Sequence, residues 1–222
     1  MSVPALPKWR SVLAVVAHPD DESFGLGAVL SSFIDAGARV AVLCLTHGEA
    51  STLHGVEGDL TDIRAAELRA AADALGVEEV ELMDFPDGGL ASMPLEELAA
   101  AVGMVATRRH VDGLLGFDLS GVTGHPDHTA ATRAAMAAAE RLGLPVLGWT
   151  LPFDVGQQLT EEFGAAFVGH AHAEIDLRVT VSRQRQLTAV ACHPSQALPG
   201  SVLWRRLELL GDREYLRLLR SA

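Results

Sequence analysis

Ser11-Val12-Leu13-Ala14-Val15-Val16-Ala17-His18-Pro19-Asp20-Asp21-Glu22 is an apolar run that ends abruptly on a histidine, a proline and three acids. A short continuous run rich in valine, too brief for a helix and closed by proline, reads as a strand buried on both faces. A second such run, Gly113–Phe117, is followed after a loop by His125-Pro126-Asp127-His128. In an open parallel sheet the loops leaving the carboxyl ends of the strands share one crevice, where ligands bind. Two clusters of imidazole and carboxylate groups, far apart in sequence, are therefore expected to meet.

The same punctuation continues on either side. Strands are predicted at Ser11–Ala17, Arg39–Leu45, Glu79–Met83, Gly113–Phe117 and Val146–Thr150, with helices at Gly27–Ala36, Thr61–Leu75, Leu95–Arg109 and His128–Leu142. Such alternation builds parallel βαβ units, giving a Rossmann-like α/β fold whose mainly parallel sheet is flanked by helices. Gly37, Gly76 and Gly143 follow helices, where left-handed caps are expected. Beyond Thr150 the pattern loosens into a C-terminal elaboration. His170–Val181 alternates like one or two strands, and Ser182–Cys192 reads as helical. Ser201–Arg220, with Leu203, Leu207, Leu210, Leu218 and Leu219, reads as a closing helix docked on the core. Residues 1–10 read as an N-terminal tail and residues 11–222 as one domain.

At 222 residues, 49% of them hydrophobic, the chain is long enough to bury a sizeable core. Its net charge of −12 argues against nucleic acid or an anionic membrane surface, both of which select basic patches. A small-molecule substrate is the expected partner; the sequence leaves the oligomeric state open. No segment approaches the about 20 apolar residues that span a bilayer, and the N-terminus lacks a signal-peptide pattern. Cys44 and Cys192 have no paired spacing, which points to a reducing, cytoplasmic compartment. Lys8 is the only lysine among 17 basic residues and lies in the tail, so Schiff-base chemistry is not expected.

The two clusters suit metal chemistry. His18, Asp21 and His128 offer two nitrogens and one oxygen, a set that accommodates Zn²⁺ and leaves a fourth position for water. Asp20 is then free to act as a base, and His125 is placed to donate to a developing oxyanion or a leaving amine. A two-histidine, one-carboxylate set also suits Fe²⁺. Plainer readings exist: Asp20, Asp21 and Glu22 fit a helix N-terminus, and His125 to His128 fit a turn and cap. Gly25-Leu26-Gly27 opening a helix imitates a dinucleotide fingerprint. It lacks the third glycine and the acid ending the second strand.

Together these residues resemble the PIG-L/LmbE-like family of zinc-dependent N-acetylglucosamine de-N-acetylases. Thr46-His47-Gly48-Glu49, Arg64 with Glu67, the Asp87 segment and His193-Pro194-Ser195-Gln196 add to the resemblance, which covers residues 12–196. It implies that His18, Asp21 and His128 hold zinc or another divalent ion, that Asp20 is the general base, and that His125 stabilises the tetrahedral intermediate. It further implies that Arg64 and Asp87 hold sugar hydroxyls. The activity implied is hydrolysis of an acetamide on a glucosamine-containing conjugate. The alternatives are a larger thiol-conjugate amide as substrate, or metal or sugar binding without catalysis.

Plainer readings stand beside several of these residues as well. Arg64 and Glu67 fit an i,i+3 surface ion pair, and Asp87 fits the Pro86-Asp87-Gly88 turn. His47 and Glu49 are candidates for the crevice, while His170 and His172 read as surface residues on one strand face. His193 and Gln196 fit a cap or a core position. Cys44 reads as a small buried hydrophobe, and His54 and His110 carry no assigned role.

Overall fold

The computed structural model describes residues 5–52, 56 and 58–222; residues 1–4 of the N-terminal segment and His54 lie outside the described residues. The first half runs β1 (Ser11–Val16), α1 (Asp21–Phe24), α2 (Gly27–Asp35), β2 (Arg39–Thr46), α3 (Leu60–Leu75), β3 (Glu79–Phe85) and α4 (Leu95–Arg109). There follow β4 (Gly113–Phe117), α5 (Pro126–Leu142), β5 (Val146–Pro152), α6 (Phe153–Phe163) and β6 (Gly169–His170). The chain then adds β7 (Leu177–Thr180), α7 (Gln184–Val190), α8 (Val202–Leu210) and β8 (Arg213–Arg220).

The strands lie in the order β3-β2-β1-β4-β5-β8-β7, with β6 beside β5. All pairings among β1 to β5 are parallel, and β8 runs antiparallel to both β5 and β7. From β1 the chain winds outward to β3, then returns to start the other half at β4. The winding reverses between β1 and β4, so the loops carrying His18 and His125 leave the sheet on either side of that crevice.

Every residue of β1 and of β4 is buried, as their uninterrupted apolar sequences require. Leu26, Leu30 and Phe33 of the α2 segment, with Leu68 and Leu75 of α3, cover one sheet face. Leu98, Val102 and Val105 of α4, with Ala131, Ala134 and Ala138 of α5, cover the other. The alanines let helix backbones approach closely, while each leucine fully removed from water contributes about 1.5–3 kcal/mol. Trp9 stacks on Phe33 at 5.7 Å between ring centroids, which ties the end of the N-terminal segment to this core.

Two stretches depart from the sequence reading. Residues 201–220 do not form one closing helix: α8 stops at Leu210, Gly211 turns the chain at φ 56°, and Arg213–Arg220 pairs with β5. An unpaired β5 edge would leave a row of backbone groups unsatisfied, and that demand outweighs the helical spacing of Leu218 and Leu219. Leu218 is consequently 48% exposed instead of docked. The other departure is α6, which burial of Gly156 and Leu159 holds in a segment that reads as irregular. Among the described residues no helix is long and apolar enough to cross a membrane.

Candidate functional site

β1 ends at Val16, and the chain turns at once into the short helix α1. Asp21, its first residue, folds back over the turn: Oδ2 accepts the N–H groups of Ala17 at 3.2 Å and His18 at 3.0 Å. Its other oxygen, Oδ1, lies 3.2 Å from Nε2 of His128, which arrives from the first turn of α5. Nδ1 of His128 sits 3.1 Å from the carbonyl of Gly121 and 3.0 Å from Oγ1 of Thr123. A carbonyl only accepts, so Nδ1 carries the proton and Nε2 is left to face the Asp21 side.

His18 stands between these groups and the β3–α4 loop. Its Nδ1 is 3.7 Å from Asp21 Oδ2, and its Nε2 is 3.0 Å from Asp87 Oδ1 and 3.5 Å from Asp127 Oδ2. Nε2 is buried, yet none of these contacts is an in-line hydrogen bond. Asp127 is wholly buried and accepts from the backbone of Gly88 at 2.8 Å and Leu90 at 3.1 Å, which pins the Asp87 turn beside His18. The rings of His18, His125 and His128 pack with centroids 4.8 to 5.3 Å apart.

Charge follows from this crowding. Burial opposes a proton on His18, but the carboxylates of Asp127, Asp87, Asp21 and Asp20 outweigh it and push the imidazole up to about 10. Burial works against the Asp21 charge too, yet His128 and His18 hold that carboxyl well below the usual range. Asp20 is different: burial pushes it up to about 6, against the pull of Arg64. For His125, burial and then the charges of His18 and His128 hold the pKa below the ordinary value.

The orphaned Nε2 of His18 and the Nε2 of His128 freed by its carbonyl partner are what a divalent ion needs. Ligand atoms of His18, His125 and His128 lie within 4.8 Å of one another, as do those of His18, Asp87 and Asp127, and Asp21 touches the first set. Such a donor set of imidazole and carboxylate fits zinc and its borderline neighbours.

Asp20 sits next to this cluster in a strained backbone conformation, φ 120° and ψ −29°. It opens α1, but its side chain caps nothing. Oδ2 instead accepts Arg64 Nη2 at 2.9 Å, and the same nitrogen holds the Pro19 carbonyl. The N–H of Asp20 donates to Glu22 Oε2 at 2.9 Å. Glu22 is completely buried against His193, Oε1 to Nε2 at 2.8 Å, and Glu67 binds the backbone N–H and hydroxyl of Ser195. Arg64 and Glu67 are therefore not a surface pair; both are buried and turn to different partners.

The sequence singles out His18, Asp20, Asp21, Arg64, Asp87, His125 and His128, and all seven line one cleft of about 560 Å³. Arg64 Nη1 and Nη2 bind protein groups, while Asp87 accepts the N–H of Ala50 on Oδ2 at 2.8 Å and turns Oδ1 toward His18 Nε2, 3.0 Å away. His125 caps α5, its Nδ1 accepting the N–H of Asp127 at 3.2 Å, so the cap reading and the site reading hold together. Glu49 supports the Asp87 turn by accepting its N–H at 3.0 Å, whereas His47 pairs with the exposed Asp84 and does not line the cleft. His170 is held by Thr150 Oγ1 and Arg217, not displayed on a surface strand with His172. Sequence reasoning missed Asp127, Glu22 and Ser195 as supporting groups. The signal was present, since acids buried inside both motifs need partners.

Comparison with known proteins gives this geometry a lineage. The family model PIG-L, described as GlcNAc-PI de-N-acetylase, matches residues 13–139, more than half of the chain. The chain belongs to the PIG-L family. A 1D-myo-inositol 2-acetamido-2-deoxy-α-D-glucopyranoside deacetylase of Nakamurella multipartita is 30% identical to this PIG-L chain, with 94% of the chain and 88% of the relative covered. The deacetylase of the same description from Kineococcus radiotolerans is also 30% identical, with 70% of this chain and 53% of the relative covered. The match thus spans about half the length of some curated relatives. Among solved structures, the zinc-inhibited form of teicoplanin deacetylase Orf2 superposes with TM-score 0.74 at 21% identity, covering 95% of this chain and 98% of that one. GalB, a 4-carboxy-2-hydroxymuconate hydratase of Pseudomonas putida KT2440, superposes with TM-score 0.70 at 20% identity over 96% and 97% of the two chains. At such identities the likeness is one of fold, and the fold alone does not choose the reaction.

Proposed function

We propose that this chain is a zinc-dependent hydrolase that removes the N-acetyl group from a glucosamine-containing small conjugate, releasing acetate and a free amine. One observation carries the reading: Asp20, held by Arg64, stands beside the cluster of His18, Asp21 and His128 in a single cleft. In this assignment His18, Asp21 and His128 hold the ion. Zinc bound there supplies Lewis-acid polarisation of the acetamide carbonyl and a water of lowered pKa.

Because Arg64 occupies Oδ2 of Asp20, Oδ1 is the atom that takes the proton from the attacking water. His125 acts as a neutral donor: its Nδ1 accepts from Asp127, so its proton is on Nε2, aimed at the oxyanion of the tetrahedral intermediate. As the C–N bond breaks, the proton held by Asp20 passes to the leaving nitrogen, which departs as the amine. The Gly121 carbonyl and Thr123, at Nδ1, keep His128 in place throughout.

The substrate in the relatives' names, an inositol glycoside of N-acetylglucosamine, makes a sugar conjugate the first compound to test. The assay is release of acetate and primary amine from 1-O-(N-acetylglucosaminyl)-myo-inositol by protein loaded with zinc, compared with protein stripped by a chelator. Turnover restored by zinc supports the reading. No amine from this or any other acetamide, with the site fully loaded, refutes it.

A further inference from the structure

The proposed chemistry leaves one charge in the cleft unused. Arg206 projects from α8 into the same cleft that His18 and His128 line, and it is only 7% exposed. Its guanidinium lies over the Trp149 ring, 5.1 Å from the centroid, and Nη2 donates to the carbonyl of Phe24 at the end of α1. Nε is buried without any partner.

Among the described residues no carboxylate forms an ion pair with Arg206. Glu214, whose charge acts on it, is already bound by Arg183 at 2.6 Å and by Trp149 Nε1 at 2.6 Å. The cleft's other buried arginine, Arg64, has Asp20 as its counter-ion. Buried cations are normally paired, because removing an unpaired charge from water is costly. A guanidinium remains protonated under all ordinary conditions, so the imbalance is not relieved by losing a proton. Asp21 and Asp20, in the same cleft, also act on Arg206, but neither pairs with it: Asp21 faces His128 at 3.2 Å and Asp20 is held by Arg64 at 2.9 Å.

We propose that Arg206 anchors an acidic group, a carboxylate or a phosphate, carried by the substrate away from its acetamide. Placing the acetamide at the histidine cluster rests on the N-deacetylase reading. Both ends share one cleft, so the anion and the acetamide belong to one molecule. The expected substrates are acidic conjugates of an N-acetylated amino sugar, recognised through the pairing of guanidinium and oxyanion.

The test compares a neutral acetamide, methyl N-acetylglucosaminide, with N-acetylglucosamine 6-phosphate and with N-acetylmuramic acid, which separate phosphate from carboxylate. The zinc-loaded wild type should favour at least one acidic compound by roughly 10- to 100-fold in kcat/KM, expressed in KM. Arg206→Met should lower kcat/KM for that acid at least tenfold more than for the neutral compound. Arg206→Lys should keep part of the preference, since a point charge replaces a planar fork. Equal losses on all three compounds would make Arg206 a structural support of α1 and overturn the proposal. So would a wild type without acid preference, whether or not Arg206→Met folds. Titration calorimetry with glucosamine, glucosamine 6-phosphate and muramic acid separates this inference from the catalytic one. If nothing is turned over but either acid-bearing probe binds more tightly in an Arg206-dependent way, only the deacetylase reading falls. If neither acid-bearing probe binds better than its neutral counterpart, Arg206 is no anion anchor.

Discussion

Arg64 Nη2 holds both the Oδ2 of Asp20, at 2.9 Å, and the carbonyl of Pro19 that precedes it. One buried guanidinium thus fixes side chain and backbone of the residue assigned as the base. Gly48 makes this possible. Its carbonyl accepts Arg64 Nη1 at 2.6 Å, and a Cβ at position 48 would fall within the guanidinium.

Gly48→Ala is therefore expected to act like Arg64→Met. Each displaces Asp20 without touching His18, Asp21 or His128. Misplacing a reacting group by about an ångström costs roughly 10²-fold in rate. The check is kcat alongside zinc content: kcat should fall while one ion per chain is retained. A wild-type kcat in both variants would show that Arg64 does not align Asp20.

Asp20→Asn removes the proton acceptor while keeping size and the Arg64 contact. Turnover should fall by about 10²–10⁴-fold with metal retained. Near-normal activity at full zinc occupancy would assign the base to another group.

His128→Ala should lower zinc content of the purified protein, because it deletes one of the three assigned ligands. It should also shrink the rise in Tm on adding zinc to stripped protein. Binding to the folded state alone stabilises by about 2.7 kcal/mol at a free ion concentration of 100 times Kd. Undiminished metal in this variant would point to the alternative donors Asp87 and Asp127 around His18.

Glu22 and His193 form a buried pair that tethers the N–H of Asp20, and here pH gives a signed prediction. Burial opposes a charge on His193, but Glu22, then Asp20 and Glu67, outweigh it and raise its pKa above the ordinary value. A raised histidine pKa contributes stability that is complete below the unfolded value, near 6.5, and is lost as pH rises through the folded one. The stability gap between wild type and Glu22→Gln/His193→Asn, measured by urea unfolding, should accordingly narrow as pH rises above about 6.5. A gap that widens with pH would contradict a charged pair. His193→Asn alone should destabilise by about 3–5 kcal/mol, the usual consequence of stranding a buried charge.

The first five strands and the helices between them were legible because each sequence signal acts locally. The runs at Ser11–Val16 and Gly113–Phe117 are apolar throughout, and Gly76 and Gly143 adopt the left-handed caps their positions predict. His18, Asp20, Asp21, His125 and His128 were legible because their motifs follow strands that the winding rule brings together, whereas Arg64, inside α3, and Asp87 were reached only through the family resemblance. β8 was not, because its conformation answers to the open edge of β5, a partner more than sixty residues away in sequence. Glu22 and Asp127 escaped for a related reason. Each sits inside a motif, but its role depends on His193 or on the Gly88 and Leu90 backbone, which sequence proximity does not reveal.

Asp20 occupies a backbone region that L-residues avoid, φ 120°, and strain of this kind costs about 1–3 kcal/mol. Glycine would adopt the same angles freely. The loop would then be at its most robust with no carboxylate in it, so resistance to heat and turnover are opposed at a single position. A screen of this chain for thermal tolerance alone is expected to erode activity first at residue 20, long before the histidines are touched.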